Sequence, residues 1–375
     1  RRHTRYWRDW SSDVCSSDLR HSSYLLKLGM IGVALLTLGG CMSGFSGPRF
    51  AETEDIKTGD VMPIFIATSR KMNGEGAVTA ELSSTTNYLM NLISIPKDHK
   101  TGQIERPSFG SESRNSHFTF LSQRVLDHDR FRAEISAQLS GRVGTARDIL
   151  VYVHGFNTGY DEARFRLAQI ATDSGFTGVP VLFTWPSQNR TFAYGADKDN
   201  ATASRDDLTS VLSELGTMPG VGRIHILAHS MGTWLTMEAL RESAIGGRGD
   251  LSGHLGEVML AAPDIDLAVF KQQYARVGAF ARVSIFAAAD DKALNISSAL
   301  AGDRQRVGAL NLNDKAQRDE ISKLGVRVYD LSNTDTGDFF RHGTFAAAPA
   351  AIRAIGAQLA LPPDDARQAQ AFESQ

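Results

Sequence analysis

The sequence predicts an α/β fold, with a mostly parallel central sheet flanked by helices. Three observations predict it. Apolar runs at 149–153, 179–184, 224–228, 257–261, 282–288 and 326–331 alternate with helical or loop-rich stretches, the pattern of βαβ units. Runs such as Ile149-Leu150-Val151-Tyr152-Val153 carry no polar interruption, as strands covered on both faces require. The run at 224–228 passes through a sharp turn straight into a helical stretch.

Taken in order, Met62–Thr68 is the first short apolar run, and Asn87–Ile95 is a second, closed by Pro96. Phe118–Val125 alternates like a strand, and Asp127–Leu139 has helical spacing. Further helices are expected near 161–173, 201–216, 231–243 and 345–359. One domain over 61–361 accommodates all of this, with 61–147 as an N-terminal elaboration. The stretch 295–323 separates two core strands and is long enough for a lid or pocket wall. Residues 362–375, after Pro362-Pro363, read as a flexible tail.

Composition narrows the function classes. Of 375 residues, 40 are basic and 42 acidic, a formal charge of -2. No field of the kind that draws nucleic acid is implied. The two cysteines, Cys15 and Cys41, exclude a disulfide-stapled fold and a cysteine-based zinc ribbon.

The first 40 residues read as something other than fold. Arg20, His21 and Lys27 precede the uncharged apolar stretch Leu28–Leu38, the layout of a secretory leader over residues 20–40. The run is too short to span a hydrocarbon core of about 30 Å comfortably. It ends in Leu38-Gly39-Gly40-Cys41, which resembles a bacterial lipobox. That resemblance implies lipidation at Cys41, a tether over 41–60 and a place in the bacterial cell envelope. Met42, rather than Asp, after the cysteine points to the outer membrane facing the periplasm. A simple signal peptide or short anchor is the alternative. Ahead of the leader, residues 1–19 contain Asp9-Trp10-Ser11-Ser12-Asp13-Val14-Cys15-Ser16-Ser17-Asp18-Leu19. This resembles a translated sequencing adapter and is read as an artefact, which leaves Cys15 without a role.

The most informative segment is Ile224-His225-Ile226-Leu227-Ala228-His229-Ser230-Met231-Gly232. A buried strand, a serine on a sharp turn and a helix are the setting of a nucleophile elbow, G-x-S-x-G, with Ala228 for the first glycine. Small flanking residues are needed because the serine backbone is strained and the helix packs close to the strand. The bland alternative is a serine that merely caps a helix.

A serine nucleophile needs an oxyanion hole, worth about 3–4 kcal/mol per donor. The N–H of Met231 follows the nucleophile directly. The second donor is expected from Val151-Tyr152-Val153-His154-Gly155-Phe156-Asn157, as the N–H of Phe156, with His154 or Asn157 orienting the loop. A base and an acid should follow in the order Ser, Asp or Glu, His. Only His254 and His342 follow the turn, and His254 precedes the next core strand. His342, between the last predicted strand and the last helix, is therefore the expected base. For the acid, Asp291 and Asp290 follow one strand and Asp264 follows the strand before it; Asp291 is preferred, with the other two left open.

These residues carry a family resemblance. Ile149–Leu240 resembles the α/β-hydrolase superfamily, in a bacterial esterase/lipase-like branch of unassigned function. The carrying residues are His154-Gly155-Phe156-Asn157-Thr158, Arg164 with Ala168-Gln169, Thr184-Trp185-Pro186-Ser187 and Ala228-His229-Ser230-Met231-Gly232. The similarity extends weakly from Pro63 to His342. It implies an α/β-hydrolase fold and a serine hydrolase of esters or related acyl bonds, acting on a small-molecule or lipid acyl substrate. Trp185 and Ser187 join His154 and Asn157 as candidate pocket residues, although a core role suits Trp185 better. An acyltransferase with the same triad and a non-catalytic envelope-binding lipoprotein are the rival readings. No phosphate loop, no His-Glu-x-x-His helix and no complete dinucleotide fingerprint is present. Neither a cofactor nor a metal is implied.

Overall fold

The computed structural model describes residues 60–300, 302–334 and 341–361. The expectations for residues 1–19, the leader, Cys41, the tether up to residue 59 and the tail beyond 361 lie outside them. Among the described residues no helix is long and apolar enough to cross a membrane.

The strands are β1 (Asp60–Met72), β2 (Val78–Ile95), β3 (Thr119–Leu126), β4 (Ile149–Val153), β5 (Val179–Thr184), β6 (Ile224–His229), β7 (Leu255–Ala261), β8 (Arg282–Ala287) and β9 (Arg327–Asp330). They form one sheet in the order β3-β2-β1-β5-β4-β6-β7-β8-β9. β1, β2 and β3 pair antiparallel as a meander, and β1 joins β5 in parallel. Every pair from β5 to β9 is parallel. The region 61–147 therefore widens the sheet.

The apolar runs divide their side chains between two cores. Ile149, Val151 and Val153 of β4 lie in one cluster, and Leu150 and Tyr152 in the other. The first cluster holds buried residues of α1 (His128–Leu139), α4 (Arg205–Leu215), α5 (Met231–Ile245) and α6 (Leu267–Val277). The second holds those of α2 (Tyr160–Asp173) and α10 (Pro349–Ala360). Helices on both faces explain why the central strands carry no exposed polar stripe.

Two helices expected as single units are broken, each for a local reason. The stretch 201–216 begins earlier and divides at Ser204 into α3 (Tyr194–Ala203) and α4. Ser204 Oγ bonds the Asn200 carbonyl and Ser69 Oγ, so the side chain takes over as the helix path turns. The stretch 345–359 divides into α9 (Thr344–Ala347) and α10. Pro349 at the start of α10 forces Ala348 out of helical geometry, to φ -81°, ψ 120°.

Residues 295–323 include the end of α7 (Lys292–Leu300), a 3₁₀ turn at Val307–Ala309 and α8 (Lys315–Ser322). The 3₁₀ turn is bound to the sheet edge. Gly308 N–H donates to Pro263 O, Ala288 N–H donates to Gly308 O, and Val307 and Leu310 are buried.

Register places the informative loops together. Val153 pairs with Ala228, His229 with Ala261 and Ala261 with Phe286. The segments that begin at His154, Ser230, Ala262 and Ala288 thus leave the sheet at one carboxyl edge, where open α/β sheets place their sites.

Candidate active site

Ser230 sits between β6 and α5 with φ 52° and ψ -122°. Positive φ is costly for a residue with a side chain, and such strain persists where the surroundings over-determine it. Here its N–H donates to Ala261 O at 2.9 Å, and its carbonyl accepts from Thr233 Oγ1 at 2.6 Å and from Asp264 N–H at 3.3 Å.

Close approach explains the glycines around it. A Cβ on Gly232 would lie 2.3 Å from His154 O and 2.7 Å from Val153 O. A Cβ on Gly155 would lie 2.8 Å from Ser230 Cβ. The end of β4 and the start of α5 pack backbone to backbone. Ala228 is fully buried in its strand and needs no such concession.

Met231 opens α5, so its N–H has no partner within the helix. Phe156 lies on the loop after β4, its ring edge-on to Tyr194 with centroids 5.4 Å apart. Neither N–H is spent in a turn or loop hydrogen bond among the described residues.

The three acid candidates have distinct partners. Asp291, fully buried, has Oδ2 2.7 Å from His342 Nδ1, and its Oδ1 accepts Leu294 N–H at 2.9 Å. Asp290 pairs with Arg341 at 2.9 Å and accepts Asn333 N–H. Asp264 accepts from Tyr194 Oη at 2.8 Å and Ser297 Oγ at 2.6 Å, and pairs with Arg306 at 3.2 Å. Asp291 is the one of the three that meets His342. Beside a carboxylate the imidazole carries its proton on Nδ1, which leaves Nε2 with a lone pair. The His342 ring lies against His229, centroids 4.7 Å apart, and the His342 carbonyl accepts from His229 Nε2 at 3.1 Å. His229 directly precedes Ser230, so the imidazole stands beside the serine turn. Burial and the neighbouring His342 hold the His229 pKa well below the usual histidine range.

The candidate pocket residues brace this edge. His154, Trp185 and Ser187 are fully buried. Trp185 stacks on His154 at 5.1 Å and 13°, and its Nε1–H donates to His154 O. Ser187 Oγ donates to Asp197 Oδ2 at 2.6 Å and accepts Thr158 N–H. Asn157 has φ 54°, and its N–H points to Asp197 Oδ2 at 3.4 Å. Burial followed by the charge of Arg70 lowers the His154 pKa to about 3, so the ring is neutral.

Two charged residues of this edge went unmarked by sequence reasoning. Asp197, on α3, collects donors from Ser187, Gln188 and Asn157, and burial raises its pKa against those hydrogen bonds. Arg70, near the end of β1, is 2% exposed. A guanidinium at the end of an apolar strand was the available signal for Arg70. Nothing local distinguishes Asp197 from Asp199, which is exposed.

Among curated proteins, no sequence matches the chain significantly. The chain is similar to the solved structure of brefeldin A esterase, a bacterial homologue of human hormone sensitive lipase, with 12% identity and TM-score 0.41, over 94% of this chain and 90% of that one. It is similar to carboxyl esterase 2 of the mycorrhizal fungus Tuber melanosporum, with 13% identity and TM-score 0.40, over 88% and 97%. A predicted CIB-like hydrolase from Thermoplasma acidophilum matches with 14% identity and TM-score 0.36, over 58% and 89%. Likeness at this level carries no argument about substrate. The family profile described as "Alpha/beta hydrolase of unknown function (DUF900)" matches residues 127–359. That span takes in the serine turn, the Asp291–His342 pair and the loops that brace them, and the chain belongs to this α/β-hydrolase family.

Proposed function

We propose that the protein is a serine hydrolase that cleaves an ester or related acyl bond, with Ser230 as nucleophile, His342 as base and Asp291 as the acid that orients it. The observation that carries this reading is the 2.7 Å contact between Asp291 and His342, beside a strained serine at a strand–helix turn.

On this reading the three residues share one acyl-enzyme cycle. Ser230 Oγ attacks the acyl carbon while its proton passes to His342 Nε2. The carbonyl oxygen becomes an oxyanion, received by the N–H groups of Phe156 and Met231. The tetrahedral species collapses, the leaving oxygen takes the proton from His342, and an acyl-enzyme remains. Water then gives a proton to His342 and adds to the acyl carbon. A second collapse returns that proton to Ser230 and frees the acid. Asp291 keeps its charge throughout and stabilises the imidazolium.

Hydrolysis of p-nitrophenyl esters across chain lengths tests the reading, with fluorophosphonate labelling in parallel. Wild type should hydrolyse and label, and Ser230→Ala should do neither. Activity retained in both Ser230→Ala and His342→Ala refutes the assigned roles.

The proposal extends to location: a lipid on Cys41 would hold the domain at the envelope, facing the periplasm. The support is the Leu38-Gly39-Gly40-Cys41 sequence. Metabolic labelling with an alkynyl fatty acid should mark the wild type; equal labelling of Cys41→Ala rejects the anchor.

A further inference from the structure

Arg70 is a buried cation held at the candidate oxyanion loop. Its Nε donates to Thr184 Oγ1 at 3.0 Å. Nη1 donates to the carbonyls of Thr79 and Ser187, both at 3.3 Å, and Nη2 to Thr158 O at 3.1 Å. Thr158 lies on the loop after β4 that carries Phe156, and Ser187 on the loop after β5. One guanidinium therefore ties both loops to β1.

A relay runs from it toward the serine. Thr184 Oγ1 lies 2.9 Å from His154 Nε2, and Trp185 N–H reaches the same nitrogen at 3.2 Å. An amide N–H can only donate, so Nε2 accepts and His154 carries its proton on Nδ1. That proton is donated to Gly155 O at 2.9 Å. Gly155 is the residue whose backbone rests against Ser230. Arg70 Nε, Thr184 Oγ1 and His154 Nδ1 thus form a chain that ends on the peptide bond between Gly155 and Phe156.

The charge itself calls for an explanation. No carboxylate of the described residues forms an ion pair with Arg70, and Asp197 acts on it only through its field. Burial draws the Arg70 pKa down to about 10, which leaves it charged near neutrality. Removing a cation from water without an ion pair is costly. Its field is available to negative charge that develops nearby.

We propose that Arg70 is a positioning residue for the acyl-transfer step: it fixes the peptide plane of Gly155-Phe156 through Thr184 and His154, and its charge favours the oxyanion that forms at Ser230. This rests on the reading of Ser230 as nucleophile. Arg70 touches no substrate; it acts through the loop.

The test compares Arg70→Met, Arg70→Lys and Thr184→Val with wild type on a short p-nitrophenyl ester. It reads kcat and KM separately, the melting temperature and the ¹⁵N shifts of His154. Thr184→Val keeps the shape and removes only the relay hydroxyl. It should lower kcat about tenfold with KM within twofold, and shift His154 Nε2. Arg70→Met should lower kcat about a hundredfold, and Arg70→Lys, which restores charge without the fork, should recover part of that loss. Unchanged kcat in folded Arg70→Met or Thr184→Val overturns the proposal, as does a loss that only follows the melting temperature. An active wild type with unaffected variants removes this proposal alone. A wild type that neither hydrolyses ester nor labels at Ser230 removes the hydrolase reading, and this proposal with it.

Discussion

Asp291 Oδ2 and His342 Nδ1 lie 2.7 Å apart across 51 residues of sequence. The carboxylate is fully buried, and its second oxygen is taken by Leu294 N–H. It cannot turn away from the imidazole without losing a second bond. A pair held in this way favours the imidazole tautomer with its proton on Nδ1.

Replacing that carboxylate by an amide should therefore leave the fold and disable the base. Asp291→Asn is expected to lower kcat by about 10³–10⁴-fold, because an amide can stabilise the wrong tautomer. Asp264→Asn, whose partners are Tyr194, Ser297 and Arg306, should cost less than about tenfold in kcat and act mainly on thermal stability. Steady-state kinetics on both variants decide between them. Equal kcat losses would reject the assignment of Asp291.

The close packing of β4 on α5 makes Gly232 irreplaceable in a way that Ala228 is not. Gly232→Ala drives a Cβ into the His154 carbonyl, so it should lower the melting temperature by several degrees or abolish folding. Ala228→Gly should keep most activity and cost about 0.5–1 kcal/mol, the usual penalty for glycine inside a strand. Thermal denaturation with an activity assay on the same samples checks both.

Buried neutral histidines should make the protein acid-sensitive. The His154 pKa is lowered to about 3 by burial and then by Arg70; burial also lowers His225 and, more strongly, His229. For a histidine depressed below its unfolded value near 6.5, the unfolded chain binds more protons. Its contribution is full above about pH 6.5 and is lost as pH falls toward the folded value. His99 has the opposite sign. Burial opposes its charge, but the hydrogen bonds its ring nitrogens donate to Asp173 and Glu105 raise its pKa overall, so its contribution is present below 6.5 and fades as pH rises through the folded value. Among the histidines three oppose one, and the urea midpoint should fall from pH 6.5 to 4, with the lowered Asp173 and Asp266 adding to the fall and the raised Glu162, Asp197 and Asp207 opposing it. A midpoint that is flat over that range, or no flatter in a folded His154→Asn variant, contradicts the account.

Lys198 should titrate early. Its Nζ lies over the Trp234 ring, 3.5 Å from the centroid. Burial lowers its pKa to about 8, with Asp264 opposing and Arg306 adding to the fall. Acylation of Lys198 by an amine-reactive reagent, followed by mass spectrometry across pH, should rise with a midpoint near 8. Ordinary lysines titrate near 10.4. Arg306→Met should move the midpoint upward; no movement would remove Arg306 as a contributor.

The sequence by itself determined the parallel core and the serine turn. Both are local signals: uninterrupted apolar runs require cover on two faces, and Ala228-His229-Ser230-Met231-Gly232 contains, in Gly232, the glycine its backbone contacts demand. Chain order was enough to single out His342. For the acid the sequence preferred Asp291 but left Asp264 and Asp290 open, because all three follow core strands and differ in where the next loop sends their carboxylates. Tertiary structure separated them by bringing His342 to Asp291 and occupying the other two with Arg306 and Arg341. It also decided the helix breaks at Ser204 and Ala348, and the convergence of Arg70, Thr184 and His154, residues 114 and 30 positions apart in sequence. Periodicity reports which face of an element is buried; it carries no information about which buried polar groups meet, since those pairings depend on the register of strands far apart in the chain.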